Sequence, residues 1–300
     1  MEMENSIDKD QKKVVEFKSL KDLIESNYEE MESLSLGNTL GGIPVSLYDF
    51  DEMTQGLRRG DLIAFAGRPM MGKTSLALQF AKNIARQNLQ VCFFSFDMRK
   101  EELAHRIMAM ETGFGINRVR TGRLQLEEWT SINKERESLG KLPIFIDDKK
   151  DISIEEIKTK CRNLSNSNKK DCLGLIVIDC FQMMEYLNHL DYKSKQESIL
   201  KELKILAKEL NVPVIITLQV SSKVEERENR RPILSDIRES EALENYGDII
   251  AMVYREEYYE PETEDRGIAE LILTTHRNGP VGTVKMLFEP QYGRYRNLAA

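Results

Sequence analysis

One run of residues carries dense chemistry: Gly67, Arg68, Pro69, Met70, Met71, Gly72, Lys73, Thr74 and Ser75. It fits the pattern G-x-x-x-x-G-K-[ST], with Gly67, Gly72, Lys73 and Thr74 at the fixed positions. That order suits a chain of phosphates. Glycines let the backbone wrap closely, so successive N–H groups point at the anion. A helix N-terminus just beyond the loop adds the positive end of its dipole. The Lys73 ammonium reaches the β- and γ-phosphates, and the Thr74 hydroxyl is placed to hold Mg²⁺. The run therefore predicts a nucleoside triphosphate site.

Such a site needs acidic partners at strand ends. LIVID, an apolar run, ends on Asp179, which is suited to orienting a Mg²⁺-bound water or, alternatively, to capping a following helix. VCFFSFD ends on Asp97, a candidate for polarising the attacking water; its other reading is the cap of the helix at MRKEELAHRI. Gln219 ends VPVIITLQ and is either a γ-phosphate sensor or an ordinary polar strand end. Tyr254 and Arg255 follow a strand and either stack on a nucleotide base or pack the surface.

These positions require strands that run into the site and helices that cover them. Candidate strands are 61–66, 91–96, 143–147, 173–179, 212–218, 248–254, 268–275 and 283–290. Helical periodicity covers 74–86, 100–113, 126–139, 153–165 and 193–210. Runs such as LGLIVID and VPVIITL are almost continuously apolar, as in a parallel sheet buried on both faces. HRNGPVG between the last two strands suits a hairpin. The expected fold class is α/β, a mostly parallel twisted sheet flanked by helices with a C-terminal β-hairpin. In doubly wound sheets ligands sit at the carboxyl ends of the strands, which faces Asp97, Asp179 and Gln219 toward one site.

Composition narrows the class. Of 300 residues, 31% are charged and 41% apolar, which excludes a wholly disordered chain. With 43 Lys and Arg against 50 Asp and Glu the net charge is −7, so any nucleic acid contact requires positive groups concentrated in a channel. No apolar run approaches a membrane span, and the start, MEMENSIDKD, does not read as a secretory signal. The four cysteines form no C-x-x-C pair; Cys92 and Cys180 read as core thiols, and the chain as soluble and cytoplasmic. Residues 1–40 read as a polar tail. Its stripe of Val14, Val15, Phe17, Leu20, Leu23 and Ile24 fits either a frayed tail or a short docking helix. LGNTLGGIP, residues 36–44, reads as a linker, with one domain over 41–300. Trp129 reads as a core anchor, His105 and His189 as surface residues, and the Tyr258–Arg266 segment as a flexible loop.

Five ordered segments resemble the ATPase domain of DnaB-type replicative DNA helicases, which has a RecA-like P-loop fold. They are PVSLYDFDEMTQGLRRGDLIAFAGRPMMGKTSLAL, FFSFDMRKEELAHRI, IVIDCFQMM, RRPILSDIRESEALENYGDII and HRNGPVGTVKMLF. The resemblance implies ATP and Mg²⁺ as ligands, with Lys73 and Thr74 on the phosphates and metal and Asp179 as the second metal-site carboxylate. It implies that Gln219 couples nucleotide state to a loop, that Arg106 lies near the γ-phosphate, and that Arg277 is an arginine finger reaching the adjacent subunit. It implies a homo-hexameric ring around single-stranded DNA, with contact to a primase or helicase loader. The implied DNA loops are Glu185–Lys195 and Ser222–Glu241; the second offers Lys223, Arg227, Arg230, Arg231, Arg238 and Glu239. A solvated loop of mixed charge remains the alternative for it.

Four departures from the family pattern matter. The family has a separate N-terminal collar domain, and only about 40 residues precede the motor segment here, enough for an inter-subunit linker helix. The family's catalytic glutamate is replaced by Asp97, one methylene shorter. Thr275 stands where a lysine precedes the finger, and Glu241 replaces a glycine in the DNA-loop motif. The leading expectation is an ATP-dependent helicase or translocase motor. The alternatives are an attenuated ATP-binding regulatory paralogue and another RecA-like ATPase.

Overall fold

The computed structural model describes residues 17–35, 41–167, 172–185 and 192–298. The chain divides into two compact units, residues 1–40 and 41–300. The first contains α1 (Leu20–Ser35), on which Leu20, Leu23, Ile24, Tyr28 and Met31 are all exposed. Val14 and Val15 of the expected stripe lie outside the described residues, as do residues 36–40 of the expected linker. Residues 41–44 do not behave as a linker, because Ile43 pairs with Leu57 through reciprocal backbone hydrogen bonds of 2.9 Å.

The second unit begins with α2 (Tyr48–Thr54), then β1 (Leu62–Gly67), α3 (Lys73–Ala85), β2 (Gln90–Ser95), α4 (Lys100–Thr112), α5 (Ile116–Thr121), α6 (Leu126–Leu139) and β3 (Ile144–Asp147). It continues with α7 (Ile154–Ser167), β4 (Leu173–Asp179), α8 (Tyr192–Leu210), β5 (Val214–Gln219), α9 (Ser240–Tyr246), β6 (Ile249–Tyr254), β7 (Ile268–His276), β8 (Gly282–Glu289) and β9 (Arg294–Arg296). The described strands form one sheet in the order β3-β2-β4-β5-β1-β6-β7-β8-β9. Strands β3 to β6 in that order are parallel, and β7, β8 and β9 close the edge antiparallel.

The apolar strands bury both faces. Along β1, Ile63 and Phe65 enter one core with Phe80 of α3, while Leu62, Ala64 and Ala66 enter the other with Leu200, Leu203 and Leu206 of α8. Rings of Phe65 and Phe80 meet edge to face at 5.4 Å, fixing α3 to the strand that precedes it. This holds the β1–α3 turn, and therefore the phosphate loop, at the carboxyl end of the central strand.

Several local expectations are corrected. Trp129 is 43% exposed and no core anchor, because α6 lies against α4 and buries only Ile132. His105 is half-buried, with Nδ1 shielded from solvent. Cys92 is buried, but Cys180 is only half-buried, since the chain turns sharply there with φ +63°. Residues 258–266 form a bridged loop: Glu257, just before them, accepts from Gly267 N, just after them, at 2.8 Å, and Asp265 accepts from Lys285 Nζ at 2.9 Å. His189 lies outside the described residues. Short elements α2, α5, α9 and β9 were not legible from periodicity.

Candidate nucleotide site

The phosphate loop bridges β1 and α3 as the spacing requires. At Gly72, φ is +100°, and a Cβ would stand 2.4 Å from the Tyr295 hydroxyl. At Gly67 a Cβ would meet the Val253 carbonyl at 2.6 Å. Neither position accepts a side chain. Buried Tyr295, from β9, donates from below to Met71 O at 3.4 Å and Gly72 O at 3.2 Å. It supports the loop, and nothing in the sequence pattern marked it.

A cavity of about 450 Å³ lies over this loop. Pro69, Met70, Gly72, Lys73, Thr74, Ser75, Asp97, Arg106, Asp179, Gln219 and Arg255 all line it. Residues from four strand ends and two helices thus converge on one volume. Met71 is buried beneath, and Arg68 turns outward to Glu225 at 2.8 Å and Val220 O at 3.2 Å.

The Lys73 ammonium donates to Gly67 O at 2.8 Å and Arg68 O at 2.9 Å. Burial, the largest influence, pushes its pKa down to about 8, against the opposing pull of Asp179. Asp179 is 1% exposed, and burial raises its carboxyl above the usual range while hydrogen bonds from Thr217 and Thr74 pull it back. Thr74 donates at 3.0 Å, and Thr217 of β5 donates at 2.7 Å. Thr217 also accepts from Cys180 N at 2.7 Å, so its hydroxyl locks both the carboxylate and the turn after β4. Thr217 escaped sequence reading; its only signal was a hydroxyl inside VPVIITLQ.

Asp97 is exposed on the cavity wall. Arg106, held below its ordinary pKa mainly by burial, donates to Ser75 Oγ at 3.4 Å. Arg255 sits 4.7 Å over the Phe288 ring, donates to Met70 O at 3.2 Å and pairs with Glu257. Tyr254 does not accompany it. It lines a separate cavity with Arg230 and Arg231.

One carboxylate and one hydroxyl at Thr74 form a donor set that fits Mg²⁺. That ion is commonly held by one or two carboxylates together with substrate phosphates, not by a protein cage. Among the described residues no group of three or more His, Cys, Asp or Glu side chains is arranged to hold a metal ion by itself.

Arg277 lies elsewhere. Its backbone N–H donates to Asp248 O, just before β6, at the amino ends of the parallel strands. Its side chain is 41% exposed, and its guanidinium donates to the carbonyls of Glu244 and Asn245 at the end of α9. A six-residue strand separates it from its own phosphate loop by roughly 20 Å.

The residues expected to meet DNA divide. Lys223, Arg238 and Glu239 line a second cavity of about 850 Å³, beside the first, with Cys180 and Gln219 lining both. Lys223 and Arg238 are exposed, and Glu239 is 4% exposed. Arg230 and Arg231 are not with them. Arg231 forms two 2.8 Å hydrogen bonds to Glu270 and lies over Tyr254, and Arg230 pairs with Glu260. Arg227 pairs with Asp236. Carboxylates on neighbouring segments therefore hold these three arginines in place, a pairing that sequence distance concealed. Residues 186–191 of the first expected loop lie outside the described residues.

Fold and site together define a P-loop nucleotide-binding protein with a RecA-like core. Residues 42–297 match the model of the DnaB-like helicase C terminal domain, and the chain belongs to that family. It is 39% identical over 286 residues to the replicative DNA helicase DnaB of Geobacillus stearothermophilus, and 40% identical over 286 residues to the replicative DNA helicase DnaC of Bacillus subtilis. Each alignment covers 94% of this chain, which spans only 62% of either relative. Among solved structures, one described as an ATPase domain superposes with a TM-score of 0.89 at 34% identity, covering 95% of this chain and all of that one. A DnaB-like replicative helicase, described with its interactions with primase, gives 0.86 at 34% identity over 95% of this chain and 68% of that one. No helix among the described residues is long and apolar enough to cross a membrane.

Proposed function

We propose that this chain is an ATP-driven motor that works on single-stranded DNA as a homo-oligomeric ring, a hexamer, in the cytoplasm. Residues 41–300 are the motor and residues 1–40 the inter-subunit connection. The observation that carries the reading is the shared wall. Gln219 and Cys180 belong both to the phosphate cavity and to the cavity lined by Lys223 and Arg238.

In this reading Lys73 and the loop N–H groups hold the triphosphate, and Arg255 flanks it. Thr74 and Asp179 would hold Mg²⁺, whose charge would offset that developing on the transferring phosphoryl group. Thr217 keeps the Asp179 carboxylate oriented. Asp97 orients the attacking water and accepts its proton, from a position one methylene short of a glutamate. Arg106 approaches the γ-phosphate from α4. Arg277, about 20 Å from its own loop, serves the neighbouring subunit, which makes turnover depend on assembly. Gln219 reports the nucleotide to the second cavity, where Lys223, Arg238 and backbone N–H groups bind the DNA backbone without reading sequence. The outer surface meets a primase or loader, a reading supported by the structural neighbour that is described with its interactions with primase.

The test is ATP turnover with and without oligo(dT), on size-separated fractions, beside Lys73→Ala. Turnover in an oligomeric fraction, stimulated by oligo(dT) and abolished by Lys73→Ala, is expected. ATP binding without turnover under any condition would instead identify a regulatory paralogue, as the shortened Asp97 allows. Turnover unchanged in Lys73→Ala would refute the site.

A further inference from the structure

One side chain lining the second cavity is given no role by the motif pattern or by the proposed chemistry. Gln182 sits in a short 3-10 turn, Phe181–Glu185, directly after β4. Cys180, at φ +63°, reverses the chain so that this turn lies beside β5. Strand β4 pairs with β5 only as far as Ile178 and Ile216, three residues short of Gln219. Beyond that point the carboxamide of Gln182 takes the place of a strand. Its Oε1 accepts from Gln219 N at 2.9 Å, and its Nε2 donates to Gln219 O at 3.1 Å. The same Nε2 also donates to Glu239 Oε2 at 3.3 Å. Glu239 is buried, sits at the start of α9, and accepts from Gln196 Nε2 of α8 at 2.9 Å on its other oxygen.

We infer that Gln182 is a positioning residue that transmits nucleotide state from Gln219 to Glu239, and so to the DNA-facing segment. The inference rests on the motor reading above and names the contact that makes its two sites one machine. The geometry gives the reason. A primary amide has two N–H donors and one carbonyl, and here all three are engaged at once. When a γ-phosphate draws Gln219 toward the first cavity, its backbone moves, and Gln182 cannot follow both backbone atoms and keep Glu239. Glu239 is a buried carboxylate, and losing a donor there is unfavourable, so the segment that carries it shifts as well. Coupling of this kind passes through a contiguous chain of hydrogen bonds with two arrangements.

Linkage makes the relay measurable without hydrolysis. Affinity for fluorescein-labelled oligo(dT) is measured on the full chain with Mg²⁺, with and without a non-hydrolysable ATP analogue, and analogue affinity is measured with and without the DNA. The ratio is the coupling factor, the same from either direction, and is expected at roughly 5- to 150-fold in the unsubstituted protein. In Gln182→Met each ligand alone should bind within about twofold of normal, while the coupling factor collapses to within about twofold of one. In Gln182→Glu the factor should collapse as well, because a carboxylate then faces Glu239. Adding Glu239→Gln to that variant restores a donor across the gap and should recover most of the coupling. Full coupling retained in Gln182→Met overturns the relay. So does a loss of coupling that only parallels a loss of analogue binding, or a double variant no better than Gln182→Glu. Unsubstituted protein that binds both ligands independently refutes the relay alone. Protein that binds neither refutes the motor reading and the relay with it.

Discussion

Replacing Thr217 by valine removes one hydroxyl and almost no volume, yet it should disturb both stability and activity. Thr217 is 1% exposed. Its hydroxyl donates to Asp179 Oδ1 at 2.7 Å and accepts from Cys180 N at 2.7 Å. Valine therefore strips one donor from a buried carboxylate and leaves a backbone N–H without its acceptor. A hydrogen bond to a charged group contributes roughly 1.5–3 kcal/mol, and a buried unsatisfied donor costs about 1–3 kcal/mol, so a loss on the order of 3 kcal/mol is expected. In a domain of this size that lowers the thermal midpoint by about 6–12 °C. Activity should follow a different signature. The Thr217 hydrogen bond lowers the Asp179 pKa, so without it burial prevails further and the carboxyl ionises at higher pH. The acid limb of ATP turnover should move to higher pH, with a greater Mg²⁺ requirement. Thr217→Ser, which keeps the hydroxyl, is the control and should keep the pH profile. Circular dichroism melts and turnover measured against pH decide the matter. A Thr217→Val protein that melts with the unsubstituted one and keeps its acid limb would refute the assigned role of the hydroxyl.

Three further outcomes are expected. Burial brings Lys73 to about 8, so its ammonium is lost as pH rises through that value; affinity for a fluorescent ATP analogue should weaken between about pH 7 and about pH 9, with no such step in Lys73→Ala. Asp97→Glu, which restores the missing methylene, should raise turnover, whereas Asp97→Asn should lower it by roughly 10²- to 10⁴-fold; an inert Asp97→Asn would show that Asp97 is not the base. Chains carrying Arg277→Ala and chains carrying Lys73→Ala should each be inactive alone and recover measurable turnover when mixed, because an intact loop can then meet an intact finger. Absence of recovery in verified mixed oligomers would show that Arg277 does not act in trans.

Sequence determined the frame. Phosphate loop, strand ends at Asp97, Asp179 and Gln219, parallel sheet and terminal hairpin all follow from local pattern, because backbone geometry ties each chemical role to a short spacing or to a strand end. The long helices of residues 41–300 were equally legible, since their apolar period repeats over several turns; α2, α5 and α9, with only six or seven residues each, repeat too little to show it. Tertiary structure alone decided which side chains meet across the sheet. Thr217 stands 38 residues from Asp179, and Tyr295 stands 223 from Gly72, yet both contact the site directly. It also separated charges that the sequence placed together. Arg230 and Arg231 lie eight and seven residues before Arg238 and share its sign, but Glu260 and Glu270 hold them in a different cavity. Charge counted along a chain ignores which carboxylates the fold brings within about 3 Å, and at that range the nearest partner determines what an arginine does.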